Sequence, residues 1–249
     1  MLLAFQVFLA IHIIAGATGI IAFWVPVAGR KGSPNHRRWG RVFNRCMLAV
    51  GCAAIGLSTT TLIDPLGTHP HLAEHPDFRD PALIRAVFGW MMLYLAILTI
   101  NLTWYGWLAV RNGRRHHLNR EWRNQALQWL VLAAAVNCAV QAWRAGVPLL
   151  AGMAVIGFAT VGTNWHFLRQ DDPGPTLWLR EHIKALVGAG ISVYTAFFAF
   201  GAVRVAPFLA LNPVLWAIPL IVGLTLIVVH RRRVLRQYAA SRSAAPVAS

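Results

Sequence analysis

The chain has 249 residues, of which 57% are hydrophobic and 12% charged, and its mean hydropathy is +0.53. A soluble domain of this length carries about twice that charged fraction, so the composition excludes an ordinary soluble protein. The formal net charge of +15 would indicate a nucleic-acid partner in a soluble protein. Here the cytoplasmic loops of a membrane protein explain the charge better, and no nucleic-acid partner is expected.

Seven apolar runs are long enough to cross a bilayer as helices, which takes about 20 residues each. The runs are 3–28, 42–63, 86–110, 125–143, 147–168, 181–203 and 214–230. The first run is too long for a signal peptide and has no basic residue before it, so we expect it to be a retained span. The predicted fold class is an all-α, integral membrane seven-helix bundle. It forms a single domain over 1–238, followed by a disordered Ala/Ser-rich tail over 239–249.

The basic residues predict the orientation of the chain. Lys and Arg accumulate on the cytoplasmic side of membrane proteins, and 19 of the 23 here lie in or beside the connections after spans 1, 3, 5 and 7. The other connections hold only Arg79, Arg85, Arg144 and Arg204. We therefore expect the N-terminus outside and the C-terminus in the cytoplasm. The membrane would be a bacterial inner (plasma) membrane, with anionic lipid at the basic face.

One ionisable residue, His12, lies near the middle of the first span. It shares a helix face with Gly16 and Gly19. Such small residues let another helix, or a flat ligand, approach the backbone closely.

The second span begins in a basic turn. Ser33-Pro34 predicts a helix start, because serine suits the N-cap and proline the first helical position. His36 follows on one face of the helix. A neighbouring face carries arginines at i, i+4 and i+8, namely Arg37, Arg41 and Arg45. At the end of the third span, Arg111-Asn112-Gly113 predicts a helix C-terminus.

Arg45 lies about one turn inside the hydrophobic run. Its side chain either snorkels to the interface or has a fixed partner. The candidate partners are Asp171, Asp172, Glu181 and a bound anion. A fixed partner predicts that Arg45→Ala destabilises the protein more than Arg38→Ala.

Spans 5 and 6 each combine small residues at helical spacing with one histidine at the predicted cytoplasmic end. These histidines are His166 and His182. A short loop joins the two spans, so we expect the two side chains at similar depth. Together with His12 and His36, they are the candidate cofactor-binding residues.

The loop over 64–85 contains a string that matches a zinc-peptidase motif. His71, Glu74 and His75 form H-x-x-E-H, which works only when a helix directs both imidazoles to one metal. Because Pro70 and Pro76 crowd the string, no catalytic metal site is predicted, and weak metal binding by the loop stays open.

Three segments resemble a known family. They are the His12-x3-Gly16 pair, KGSPNHRRWGRVF (Lys31 to Phe43) and EHIKALVGAGISVYTAF (Glu181 to Phe197). The chain resembles an uncharacterised family of bacterial multipass membrane proteins, a domain of unknown function. That family has a first-helix histidine, an H-R-x2-G-R turn and a late helix that opens with histidine. The sequence Trp24-Val25-Pro26 stands where the family has Gly-Pro. The resemblance implies the order of spans and no particular reaction.

Three functions stay open, and no Walker, kinase, nucleophile-elbow or Rossmann motif indicates a soluble-type enzyme. The main hypothesis is a structural or accessory membrane subunit, with a His/Arg cluster at its cytoplasmic side. The second is a haem b-binding or quinone-linked electron-transfer protein, because membrane haem needs imidazoles on facing helices. The third is a transporter or binder of a small anion or lipid head group.

Overall fold

The computed structural model describes residues 1–72, 80–201 and 213–243. Seven of its helices are long and apolar enough to cross a membrane. They are α1 (Leu2–Ala28), α2 (Pro34–Ile63), α3 (Pro81–Asn112), α4 (Trp122–Ala145), α5 (Pro148–Arg169), α6 (Leu177–Ala196) and α7 (Pro213–Ser243). The described ranges contain no β-strand. The predicted all-α seven-helix membrane fold is therefore confirmed.

Shorter helical elements occur beside these seven. A helical turn (Pro65–Thr68) and a 3-10 turn (Pro70–Leu72) follow α2, and a second 3-10 turn (His116–Arg120) follows α3. A π-helical stretch lies within α3 (Arg85–Met91), and another follows α6 (Phe197–Gly201). α2 begins eight residues before its predicted apolar run, because the first two turns of the helix are basic rather than apolar.

Two of the predicted helix signals are confirmed. Ser33 is the N-cap of α2, and its side chain accepts a hydrogen bond from the His36 backbone N–H at 3.2 Å, with Pro34 in the first helical position. α3 ends at Asn112, and Gly113 follows with φ +55°. Only glycine adopts that left-handed conformation without steric cost.

The chain divides into two compact units, whereas the sequence suggested one domain. Unit 1 consists of Met1–Asn101 and Trp122–His166, and unit 2 consists of Leu102–Glu121 and the residues from Phe167 onward. The boundary falls inside α3 and inside α5. A helix of that length passes several neighbours, so its two ends can pack in different units.

Close helix packing in unit 1 depends on glycines. A Cβ on Gly51 of α2 would lie 2.5 Å from the Ile100 side chain of α3. A Cβ on Gly157 of α5 would lie 2.7 Å from the Tyr94 hydroxyl. Lipid tails are as apolar as the side chains between the helices, so the hydrophobic effect does not drive helix association inside a membrane. Close van der Waals contact is therefore a principal source of that association.

Unit 2 packs in the same way. Gly106 of α3 faces Ala185 and Leu186 of α6, and Gly223 of α7 faces Ile191 of α6. These contacts bring polar side chains of α3 and α6 within bonding distance.

The start of the predicted disordered tail overlaps the last helix. Residues 239–243 belong to α7, which continues to Ser243. Alanine and arginine in this segment are strong helix formers, so the helix extends past its apolar part. Residues 244–249 lie outside the described residues.

Candidate functional site

A buried carboxylate lies between α3 and α6 in unit 2. Glu181, in the second turn of α6, is only 5% exposed. The Tyr105 hydroxyl donates to Glu181 Oε2 at 2.8 Å, and Lys184 Nζ forms an ion pair with the same oxygen. The ammonium of Lys184 also lies 5.5 Å from the centre of the Tyr105 ring. A charge at this depth is costly unless it is paired, so these two partners make the burial of Glu181 tolerable.

Gly106 and His182, which follow Tyr105 and Glu181 in the chain, form a second hydrogen bond between α3 and α6. His182 Nδ1 lies 2.9 Å from the Gly106 carbonyl oxygen, which can only accept, so Nδ1 carries the proton. Adjacent residues of α3 thus bind adjacent residues of α6. The two bonds fix the register of the helices at this level.

More positive charge surrounds Glu181 than one carboxylate balances. Arg180 precedes it, and Arg231 of α7 lies close enough to repel both Arg180 and Lys184. The Arg180 Nε is shielded from solvent and has no hydrogen-bond partner within the described part of the chain. We call Arg180, Glu181, Lys184 and Arg231 the basic cluster. Its formal charge is two positive units.

The start of α6 adds to this positive potential. Thr176 is the N-cap, but its side chain makes no capping hydrogen bond. The first backbone N–H groups of a helix carry a partial positive charge and bind anions readily. Arg180 lies in the first turn of this helix, so the dipole and the side-chain charges have the same sign.

An aromatic contact connects Tyr105, the partner of Glu181, with the loop after α3. Phe167 lies 6.1 Å from the Tyr105 ring and 4.5 Å from the His116 ring, edge-on to both. His116 is buried, and neither of its ring nitrogens makes a hydrogen bond of ordinary geometry in the described residues. Burial, and then the nearby Arg120 guanidinium, lower the pKa of His116, against an opposing effect of backbone carbonyl groups at the end of α5.

In unit 1 the predicted histidines His12 and His36 bind backbone carbonyl groups. His12 Nδ1 lies 3.2 Å from the Val50 oxygen, which links the middle of α1 to α2. His36 Nδ1 lies 3.1 Å from the Pro26 oxygen at the end of α1, and Lys31 Nζ bonds the same carbonyl. The last carbonyls of a helix lack partners within it, so His36 and Lys31 cap α1.

The glycine face beside His12 contacts a helix. Gly16 and Gly19 are buried, and a Cβ on Gly19 would lie 3.5 Å from Met47 Sδ and 3.6 Å from Cys46 Cβ of α2. Of the two uses predicted for this face, the structure has the helix contact. Haem binding by His12, His36, His166 and His182 stays a prediction.

The two histidines of spans 5 and 6 have different environments. His166 is exposed and belongs to unit 1, whereas His182 is half-buried and belongs to unit 2. Their expected similar depth therefore stays a prediction.

The partners considered for Arg45 bind other groups. Asp171 pairs with Arg120 at 3.2 Å, and Asp172 accepts from the Gly174 backbone N–H at 3.0 Å. Arg45 is exposed, as are Arg37 and Arg41, and it forms no ion pair within the described ranges. A fixed partner of Arg45, a bound anion included, therefore stays a prediction. The arginine face of α2 points outward, while α1 and α3 contact its glycine-bearing faces.

The histidine-rich loop contains no metal site that the structure describes. Glu74 and His75 lie outside the described residues, and so does the side chain of His71. His69 packs between Phe5 and Phe88, with ring centroids 5.1 and 5.0 Å away. Among the described residues no group of three or more His, Cys, Asp or Glu could hold a metal ion.

Sequence reasoning did not find the basic cluster as a site. Arg180, Lys184 and Arg231 contributed only to the orientation, and Tyr105 was not singled out. The available signal was the run Arg180-Glu181 with Lys184 three residues later, at the start of an apolar helix. An acid inside a membrane span indicates a functional or pairing site.

Comparison with protein-family models, with curated proteins and with solved structures finds no match for this chain. The resemblance to the uncharacterised family of multipass membrane proteins therefore stays an expectation.

Proposed function

We propose that this multipass membrane protein binds a phosphate-bearing anion at the basic cluster. The main support for this proposal is the local excess of positive charge on partly buried side chains. Arg180 and Lys184 lie beside a single carboxylate, and Arg231 is close enough to repel both. The Arg180 Nε has no hydrogen-bond partner among the described residues. A phosphate offers several acceptor oxygens, and arginine is the side chain best suited to them.

An added anion would lower the electrostatic energy of the basic cluster. Arg180 and Arg231 repel each other in a region that is only partly open to solvent. An anion that contacts both would relieve this repulsion and supply acceptors to buried N–H groups. Charge-assisted hydrogen bonds of this kind contribute about 1.5–3 kcal/mol each.

We further propose the setting in which the cluster works. The distribution of Lys and Arg supports a chain with its N-terminus outside and its C-terminus in the cytoplasm of a bacterium. The basic cluster then lies at the cytoplasmic face of the inner membrane, where anionic lipids are concentrated. The three sequence segments described above support membership of the uncharacterised bacterial family.

A structural or accessory role is the second candidate, and the histidine contacts favour it. His12, His36 and His182 each use Nδ1 to link two helices through a backbone carbonyl. Side chains that only hold the bundle together explain these bonds without a ligand. The two roles differ in one respect, since only the first predicts anion binding that depends on Arg180.

Native mass spectrometry of the detergent-purified protein tests the proposal. The probes are phosphatidic acid, phosphatidylcholine and inorganic phosphate. Phosphatidic acid retained over phosphatidylcholine would assign a lipid head group, and phosphate that competes with it would assign a site also open to free anions. The loss of one charge-assisted hydrogen bond costs about 1.5 kcal/mol or more, and about 1.4 kcal/mol corresponds to a tenfold change in affinity. Arg180→Gln should therefore reduce retention about tenfold.

Arg38→Gln is the matched control, because Arg38 is an exposed arginine of unit 1 and loses the same charge. Its retention should equal that of the unchanged protein. Equal loss in both variants would indicate a nonspecific charge effect. No selective retention of any probe would leave the structural role.

A further inference from the structure

Four amide side chains form a polar core within unit 1. Asn101 comes from α3, Asn124 and Gln128 from α4, and Asn164 from α5. All four are 0% exposed. Three membrane-spanning helices therefore bury uncharged polar groups at one place, where lipid and bulk water are both excluded.

The hydrogen bonds among these amides are few and long. Asn164 Nδ2 lies 3.0 Å from Gln128 Oε1 and 3.4 Å from Asn101 Oδ1. Gln128 Nε2 lies 3.4 Å from Asn124 Oδ1. Two of the three distances exceed the usual N–H···O range of about 2.7–3.2 Å.

Two of the buried polar atoms have no partner among the described residues. They are Asn101 Nδ2, which is a donor, and Asn164 Oδ1, which is an acceptor. They belong to the same pair of side chains, which already share one hydrogen bond. Two amides side by side can form two hydrogen bonds, and here only one is made.

We propose that a water molecule bridges Asn101 Nδ2 and Asn164 Oδ1. Water is the smallest molecule that accepts one hydrogen bond and donates another, which these two atoms together require. A buried polar atom without a partner costs more free energy than the immobilisation of one water.

The inference does not depend on how the amides are oriented. Exchanging O and N in all four side chains reverses each hydrogen bond but keeps the distances. Asn101 Oδ1 and Asn164 Nδ2 would then be the open acceptor and donor. In either orientation one donor and one acceptor stay open on Asn101 and Asn164.

An experimental structure of the full chain in lipid, at a resolution that shows ordered water, tests the proposal. We expect density for one water within hydrogen-bond distance of both Asn101 and Asn164. Two direct hydrogen bonds between the amides with no density between them would overturn the proposal. Density surrounded by oxygen atoms only, at the shorter distances of a bound cation, would overturn it as well.

Water-to-amide NMR of protein labelled at asparagine nitrogen gives a second readout. The Asn101 side-chain amide should show a cross-peak with a long-lived water, and Asn164→Leu should abolish it. Asn137, a half-buried amide of α4 that bonds Gln141 at 3.4 Å, serves as the reference. If the variant does not fold, absence of the Asn101 cross-peak in the unchanged protein still contradicts the proposal.

Discussion

Tyr105 donates its hydroxyl proton to Glu181 Oε2 at 2.8 Å, and both side chains are almost completely buried. The hydroxyl thus stabilises a carboxylate that water does not reach. It also holds Oε2 where Lys184 approaches. The bond therefore connects the packing of α3 against α6 with the charge balance of the basic cluster.

Removing that hydroxyl should destabilise unit 2. Tyr105→Phe keeps the ring in place but deprives a buried carboxylate of one donor, so we expect a loss of about 1–3 kcal/mol in unfolding free energy. Thermal unfolding in detergent measures the change. Tyr238→Phe is the control, because no hydrogen bond of the Tyr238 hydroxyl occurs in the described residues. A melting temperature equal to that of the control would show that the bond contributes nothing.

His116 should make stability depend on pH. Burial and Arg120 lower its pKa in the folded protein, whereas the unfolded chain has the ordinary value of about 6.5. The unfolded state therefore binds the proton first, and stability is lost as pH falls from about 6.5 through the folded pKa.

The comparison of His116→Leu with His117→Leu isolates this effect. His117 is exposed and lies next to His116, so His117→Leu is the matched control. Melting curves between pH 7.5 and 5 should show a shallower decline for His116→Leu only. An equal decline in both variants would contradict the role assigned to His116.

The sequence predicts the helices well because their signals are local. Apolar length sets the spans, and Ser33 and Gly113 mark ends through the bonds and dihedral angles of a few neighbouring residues. Arg45 shows the limit of such reasoning. Its position inside an apolar run suggested a buried partner, but the direction of its side chain depends on which face of α2 the other helices contact.

The basic cluster could not be predicted from the sequence for a related reason. Tyr105 and Glu181 are 76 residues apart, and Arg231 is another 50 residues along the chain. The register between α3 and α6, set by Gly106 against Ala185, places Tyr105 beside Glu181, and the packing of α7 on α6 at Gly223 brings Arg231 near them. Helical periodicity identifies the face of one helix but not its partner.

Two glycines of α2 should respond in opposite ways to alanine. A Cβ at Gly51 would meet Ile100 at 2.5 Å and the Ala96 carbonyl oxygen at 3.3 Å, so Gly51→Ala should lower stability. A Cβ at Gly40 would meet nothing within 4 Å, so Gly40→Ala should raise helix stability by about 0.5–1 kcal/mol. Paired melting curves measure both. A gain for both variants would mean that α2 and α3 pack less closely than described.

Arg45 and Arg38 should be equivalent in stability. Both are exposed on α2, and neither has an ion-pair partner in the described part of the chain. Arg45→Ala and Arg38→Ala should therefore change the melting temperature by similarly small amounts. A much larger loss for Arg45→Ala would restore the fixed partner that the sequence suggested.

The proposed anion site is tested most directly by two neighbouring arginines of α7. Arg231 is half-buried and acts on Arg180 and Lys184, whereas Arg232 is exposed. Binding of phosphatidic acid is titrated in nanodiscs of phosphatidylcholine for Arg231→Gln and Arg232→Gln, which lose the same charge one residue apart. We predict about tenfold weaker binding for Arg231→Gln and unchanged binding for Arg232→Gln. Equal affinities of the two variants would contradict an anion site at the basic cluster.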